Sequence, residues 1–190
     1  NGLYNEAMDW NTPFGGITRS GVSGSYSYSV KPGFASKPVT YVSFWDAARF
    51  SNWLQNGQLT GLQTSLTTED GAYTITPGGV AANTIVRNGG AQYFLPTENE
   101  WYKAAYYDTG LGSYYDYPTS ANTTPVSGPP PGGANSANYW SGNYALTGSP
   151  NFDNAFNYLS DVGAYGSAVS PNGTFDQAGN VWEWNETIAA

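Results

Sequence analysis

Residues 93–101, with the sequence Tyr-Phe-Leu-Pro-Thr-Glu-Asn-Glu-Trp, contain a clear helix-start signal. Thr97 is a favoured N-cap residue, and Glu100 stands three residues later, where its carboxylate can complete a capping box. Three residues follow at the spacing of one helical face: Trp101, Ala104 and Ala105. The pattern predicts a helix that starts after Thr97, packs inward through that face and fades over residues 106–110.

A second helix is predicted upstream, where Ser43 and Asp46 form a variant of the same capping box. The residues after Ser43 share one helical stripe: Phe44, Ala47, Ala48 and Ser51, with Leu54 beside them. We expect this helix to span about residues 44–55 and to stop near Gly57.

The other segments favour strands and loops. Ser25–Val30 alternates polar and apolar residues, which is typical of a half-buried strand. Two short runs, 72–76 and 83–86, flank Pro77-Gly78-Gly79 and predict a hairpin insertion. We expect the first 20 residues to be irregular, and residues 110–178 have no sustained helical period.

The composition is that of a folded, weakly charged chain. Aromatic residues make up 16% of the 190 residues, which is enough apolar mass for a core, and only 11% of residues are charged. The surface must therefore be mostly neutral and polar, which favours an extracellular or cell-surface location. The net charge of -8 argues against nucleic acid and anionic membranes as partners, whereas carboxylates suit hard cations such as calcium.

The sequence contains no Cys and no His. Disulfides, thiolate metal sites and cysteine nucleophiles are therefore excluded from this chain, together with the most common general base. No stretch approaches the roughly 20 apolar residues of a membrane span.

Four segments, in order, resemble the formylglycine-generating-enzyme family, also called the sulfatase-modifying factor family. They are P-V-T-Y-V-S-F-W-D-A-A at 38–48, Y-F-L-P-T-E-N-E-W at 93–101, S-A-N-Y at 136–139 and A-G-N-V-W-E-W at 178–184. The corresponding family motifs are P-V-x-x-V-S-W-x-D-A, Y-R-L-P-T-E-A-E-W, an A-N element and G-N-V-W-E-W. We expect the tryptophans of these segments to lie in the core, as large aromatic residues usually do.

The resemblance implies an α+β fold that is compact, formylglycine-generating-enzyme-like and related to C-type lectins, with short helices, small twisted antiparallel sheets and much loop. It covers about residues 38–187, and we predict a single domain over residues 1–190. An upstream E-V-T-N-type element and a downstream R-G-G-S-W segment are not found. We therefore expect the domain to lack the usual N- and C-terminal segments of the family, with a missing segment or another copy completing the core.

The resemblance also implies a first calcium site in residues 176–183. Its ligands would be the carboxylates of Asp176 and Glu183 and the carbonyls of Gly179 and Val181. Oxygen-only ligation of this kind is what calcium prefers. The alternative is that Asp176 caps a turn and Glu183 pairs with an arginine.

A second calcium site is implied with ligands from two loops. They would be the side chains of Asn138 and Asn154 and the carbonyls of Tyr139 and Phe156. The family has an acidic residue where Asn154 stands, and the lost charge should weaken calcium binding. Ordinary loop hydrogen bonding is the alternative at this site.

The chemistry of the family is not expected here. Its formylglycine-generating members use a copper-binding cysteine pair, and related sulfoxide synthases bind iron through histidines, so a chain without Cys and His should not be an enzyme. The prediction is a non-catalytic, calcium-stabilised, extracellular structural or adhesive domain that self-assembles, as a filament if the contact does not close.

Two alternative functions stay open. The first is a lectin-like domain that binds a carbohydrate or protein ligand, with the loops 114–117 and 140–144 as candidate surfaces. The second is a fragment of an oxidase or non-heme iron enzyme whose catalytic residues lie outside this chain.

Overall fold

The computed structural model describes residues 3–187. Within that range the chain forms two compact units. Residues 42–99 and 184–187 make the first unit, and residues 3–41 and 100–183 make the second. The organisation of residues 1–190 as a single domain stays a prediction.

The helices and sheets are short, and much of the described chain is loop. In chain order the helices are α1 (Ala7–Trp10), α2 (Phe44–Gln55), α3 (Pro77–Ala82) and α4 (Glu98–Tyr106). The strands are β1 (Ile17–Val22), β2 (Ser25–Val30), β3 (Tyr107–Asp108), β4 (Ser113–Tyr114), β5 (Val126–Ser127) and β6 (Ser136–Ala137). Strands β1–β2 and β3–β4 pair antiparallel, whereas β5–β6 pair parallel. The predicted mixture of short helices and small antiparallel sheets is confirmed, and the parallel pair is an addition to it.

Helix α2 has the predicted bounds and the predicted start. The Ser43 hydroxyl accepts a hydrogen bond from the Asp46 backbone, and the Asp46 carboxylate accepts one from the Ser43 backbone. Its inward face meets the core of the first unit, where four residues are buried together: Ala48, Ala72, Tyr73 and Ile75. Helix α4 likewise begins directly after Thr97, and Ala105 is fully buried.

The predicted hairpin over residues 72–86 is wrong. Thr76 caps a short helix, α3, by accepting a hydrogen bond from the Gly79 backbone, and Pro77 occupies the first turn, where a missing N–H costs nothing. Asn83 ends the helix in the left-handed conformation. What remains of the hairpin is one antiparallel bridge between Tyr73 and Arg87.

The prediction of an irregular N-terminal segment is also wrong, because α1 and β1 lie within the first 22 residues. Strand β1 pairs with β2 through a tight turn that contains Gly24 at φ 88°. Strand β2 has the predicted bounds but is mostly exposed rather than half-buried, with only Tyr26 partly covered.

The second unit has its own buried residues, among which the aromatic ones are Tyr158 and Tyr165. Small residues on α4 and β6 also lie in this core, including Ala105 and Ala137. Within residues 3–187, no helix has both the length and the apolar sequence that a membrane span requires.

Candidate functional site

The segment that follows Phe175 folds into a tight loop in the second unit. Asp176 and Asn180 both adopt left-handed backbone conformations, at φ 64° and 71°, which Asp and Asn tolerate better than most residues. The Asp176 carboxylate accepts a hydrogen bond from the Gly163 backbone at 2.7 Å. The Asp176 carbonyl accepts another from the Gly179 backbone at 3.1 Å. The Asp176 carboxylate therefore joins this loop to Gly163 and does not cap its own turn, and its second oxygen has no hydrogen-bond partner among residues 3–187.

Asn180 joins this loop to two other segments of the second unit. Its side-chain oxygen accepts hydrogen bonds from the Ser160 backbone at 2.9 Å and from the Asn138 amide at 3.2 Å. Its side-chain nitrogen donates to the Ser160 carbonyl at 3.2 Å. Sequence reasoning missed this role, because nothing local to Asn180 indicates which backbone groups lie opposite it.

Gly179 passes very close to the backbone of Asn138. A β-carbon at position 179 would lie 2.2 Å from the Asn138 carbonyl oxygen, which also accepts a hydrogen bond from the Asn180 backbone at 2.8 Å. Glycine is therefore required here for the close approach of two chain segments.

A small cavity lies beside this loop. It has a volume of about 10 Å³, which is about the space that one water molecule occupies. Three of the predicted calcium ligands line it, namely Asp176, Gly179 and Asn138, and they come from both predicted sites. The structure thus brings together part of each predicted ligand set at a single place.

The walls of this cavity include buried polar residues. Thr119 and Ser136, at 5% and 6% exposure, contribute hydroxyl groups. Tyr165 also lines the cavity, and burial together with the nearby negative charge of Asp176 raises the pKa of its phenol to about 12. The phenol donates to the Gly128 carbonyl at 2.7 Å, so it is held in its neutral form at physiological pH.

The other residues of the first predicted site do not line the cavity. The exposed Glu183 carboxylate accepts a hydrogen bond from the Trp101 indole at 2.5 Å, and among residues 3–187 no arginine pairs with it, unlike in the alternative interpretation. The Val181 backbone donates to the Gly179 carbonyl at 3.0 Å.

The remaining residues of the second predicted site are also placed elsewhere. The Tyr139 carbonyl accepts a hydrogen bond from the Ser127 hydroxyl, and the Phe156 backbone donates to the Asp153 carbonyl. Asn154 is exposed. Loop hydrogen bonding of the kind named as the alternative is therefore present at Tyr139 and Phe156, and calcium binding at these residues stays a prediction.

The donor chemistry of the small cavity fits a hard cation. Its lining supplies carboxylate, amide, hydroxyl and carbonyl oxygens, which are the ligand types that calcium takes. Among residues 3–187 no three His, Cys, Asp or Glu side chains lie together in a way that could hold a metal ion, so any cation at this cavity would depend on neutral oxygen donors around Asp176.

A second, larger cavity lies in the same unit and has a volume of about 190 Å³. Three tyrosines form much of its wall: Tyr106, Tyr117 and Tyr139. Gln177 and Ala178 line both cavities. Of the three tyrosines, only Tyr117 belongs to the candidate ligand surface 114–117 that was predicted from the sequence. Tyr106 and Tyr139 come next to Tyr117 only through the tertiary fold, which the sequence does not show.

Trp182 contradicts the expectation that the motif tryptophans lie in the core. Its side chain is fully exposed, at 103%, and among residues 3–187 it has neither a hydrogen-bond partner nor a neighbouring aromatic ring. Trp184, in the first unit, is half exposed but donates to the Val42 carbonyl at 3.1 Å and packs edge-on against Phe44. An alternating aromatic pattern alone cannot distinguish these two environments.

Comparison with known protein families identifies the family of this chain. The model of the sulfatase-modifying factor enzyme 1-like domain matches residues 6–189. The chain belongs to this family. No curated protein and no solved structure matches it. As a member of the sulfatase-modifying factor family, the chain has the α+β, formylglycine-generating-enzyme-like fold that its four motifs predicted.

Proposed function

We propose that this member of the sulfatase-modifying factor family is a non-catalytic structural or adhesive domain that acts outside the cell or at its surface and associates with further copies of itself. The absence of Cys and His from the sequence supports this proposal, since the chain itself cannot supply the cysteine pair or the histidines of the family's oxidative chemistry. The low charged fraction of 11% suits a surface that must meet another copy without burying many charges.

The exposed indole of Trp182 is the observation that carries the proposal. Tryptophan has one of the largest apolar side-chain surfaces, and covering a fully exposed indole with another surface removes that area from water, which is favourable. Tryptophan is also among the residues that contribute most to binding energy at protein interfaces. We therefore place the self-association surface around Trp182.

Calcium is the stabilising ion of the proposal, with Asp176 as its charged ligand. Asn138 and Gly179 line the same cavity and offer neutral oxygen atoms. The cation would supply positive charge beside the partly buried Asp176 carboxylate and would hold the 176–180 loop against Asn138.

Substitution of Trp182 tests the proposed association. We expect Trp182→Ser to lower the weight-average molar mass in light scattering toward the 20.3 kDa of one chain. The matched control is Trp140→Ser, which removes another exposed indole, 54% accessible, from the same unit. Equal molar masses for Trp182→Ser, Trp140→Ser and the unmodified protein, with all three above one chain, would place the contact elsewhere and contradict the proposal.

A further inference from the structure

The larger cavity is lined by aromatic, apolar and polar residues. Tyr106, Tyr117 and Tyr139 are its aromatic residues, and Pro118 and Pro125 add apolar surface. Tyrosine rings can pack against the flat C–H faces of sugar rings as well as against other aromatic rings.

Several polar groups at this cavity have unused hydrogen-bonding capacity. Among residues 3–187, neither the Tyr106 hydroxyl nor the Gln177 side-chain nitrogen has a hydrogen-bond partner, although the Gln177 oxygen accepts from Thr174. The Tyr117 hydroxyl lies 3.0 Å from the Thr124 hydroxyl, and the Tyr139 hydroxyl donates to the Pro125 carbonyl. Donors and acceptors are therefore both available to a ligand.

The described residues of the lining carry no charged group. Neither Lys nor Arg nor any carboxylate is among the residues that line this cavity, all of which lie within the described second unit. An ionic ligand would lose its hydration when it enters the cavity and would find no opposite charge there. Because this loss costs free energy, the cavity favours a neutral ligand.

The volume favours a ligand about the size of a single ring. About 190 Å³ is well below the roughly 300–1,000 Å³ of pockets that take drug-sized molecules. From size, neutrality, aromatic walls and free hydrogen-bonding groups together, we propose that this cavity binds one neutral pyranose ring, as the end or a side unit of a glycan. This site is separate from the proposed self-association through Trp182.

Saturation-transfer NMR tests the proposal with the methyl glycosides of glucose, galactose, mannose and N-acetylglucosamine as probes. We expect at least one of them to receive magnetisation at its ring protons, and we expect Gln177→Leu and Tyr117→Leu each to reduce that transfer at least fivefold. The matched controls are Gln92→Leu and Tyr93→Leu, which change exposed residues of the first unit and should leave the transfer unchanged.

A charged sugar tests whether the cavity prefers a neutral ligand. Methyl glucuronide has a ring of the same kind with a carboxylate, and we expect it to bind at least tenfold more weakly than the best neutral glycoside. Absence of transfer to all four neutral probes in the folded protein, unchanged transfer in both cavity variants, or equal binding of the glucuronide would each overturn the proposal. Because Trp182→Ser leaves this cavity intact, sugar binding by that variant separates this site from the association surface.

Discussion

A β-carbon at Gly179 would lie 2.2 Å from the carbonyl oxygen of Asn138, a distance that two such atoms cannot adopt. The contact joins the 176–180 loop to the segment after β6, so both must separate to admit any larger residue. We predict that Gly179→Ala lowers the free energy of unfolding by about 2 kcal/mol or more, since overpacking of a tight contact costs ~1–3 kcal/mol and the Asn180–Asn138 backbone hydrogen bond is strained as well. Urea denaturation measures this difference.

The control for this substitution is Gly78→Ala. Gly78 lies in α3, and a β-carbon there would meet no atom within 4 Å. Alanine should be neutral or stabilising by about 0.5–1 kcal/mol at such a helical position. If both variants were equally stable, the close approach of Gly179 to Asn138 would not be a constraint on the fold.

The Asn52 side chain forms hydrogen bonds with the backbone N–H and carbonyl of Tyr73, as a neighbouring strand would do. This fully buried side chain accepts from the Tyr73 backbone N–H at 2.7 Å and donates to the Tyr73 carbonyl at 2.8 Å and to the Thr68 carbonyl at 2.8 Å. Asn52→Asp keeps the shape but removes both donated hydrogen bonds and buries a charge. We predict a loss of at least about 3 kcal/mol in urea denaturation. The same change at the exposed Asn99 should cost less than about 0.5 kcal/mol, and an equal loss at both positions would contradict the structure.

Acid stability depends on the ion pair between Arg49 and Glu69. The two residues are linked by two hydrogen bonds, at 2.7 and 3.0 Å, and these hold the pKa of Glu69 below its ordinary value of 4.5, against the opposing effect of burial. A depressed folded-state pKa contributes stability that is fully present above the unfolded pKa and is lost as the pH falls through the folded pKa.

We therefore predict that Glu69→Gln shows a smaller decrease in unfolding free energy than the unmodified protein between pH 5 and about pH 3. Glu98→Gln, at the exposed start of α4, should keep the full decrease. Identical acid profiles for all three proteins would show that the Arg49–Glu69 pair does not contribute to stability.

Calcium binding at Asp176 is tested by thermal unfolding. A ligand present at about 100 times its Kd stabilises a folded protein by ~2.7 kcal/mol, which for a chain of this size raises the Tm by roughly 5–10 °C. We predict that Asp176→Asn loses most of this calcium-dependent shift, because asparagine keeps the left-handed backbone but not the charge. Asp116→Asn, at an exposed position, should retain the shift. A shift of the same size in both variants would exclude Asp176 as a ligand.

The elements that the sequence predicts correctly are those with local signals. Helix α2 begins at Phe44 because Ser43 and Asp46 satisfy each other's backbone groups, which needs no other part of the chain. Where two local readings compete, the sequence is ambiguous. Thr76-Pro77-Gly78-Gly79 permits a turn, but with Asn83 as a C-cap it forms α3.

The candidate site is only partly predictable for a different reason. The motif predicted that Asp176 and Gly179 would lie together, since they are close in the chain. It could not show that Asn138 lines the same cavity and that Glu183 meets Trp101, because these contacts depend on residues that are far apart in the chain. The exposure of Trp182 was unpredictable as well, since burial is a property of the folded chain.

The most direct test of the proposed function is the native molar mass of the unmodified protein, measured by light scattering at several concentrations in calcium and again with a chelator. The proposal predicts a mass above the 20.3 kDa of one chain that rises with concentration in calcium. A constant mass of one chain at every concentration would contradict self-association and would leave ligand binding as the function of this domain.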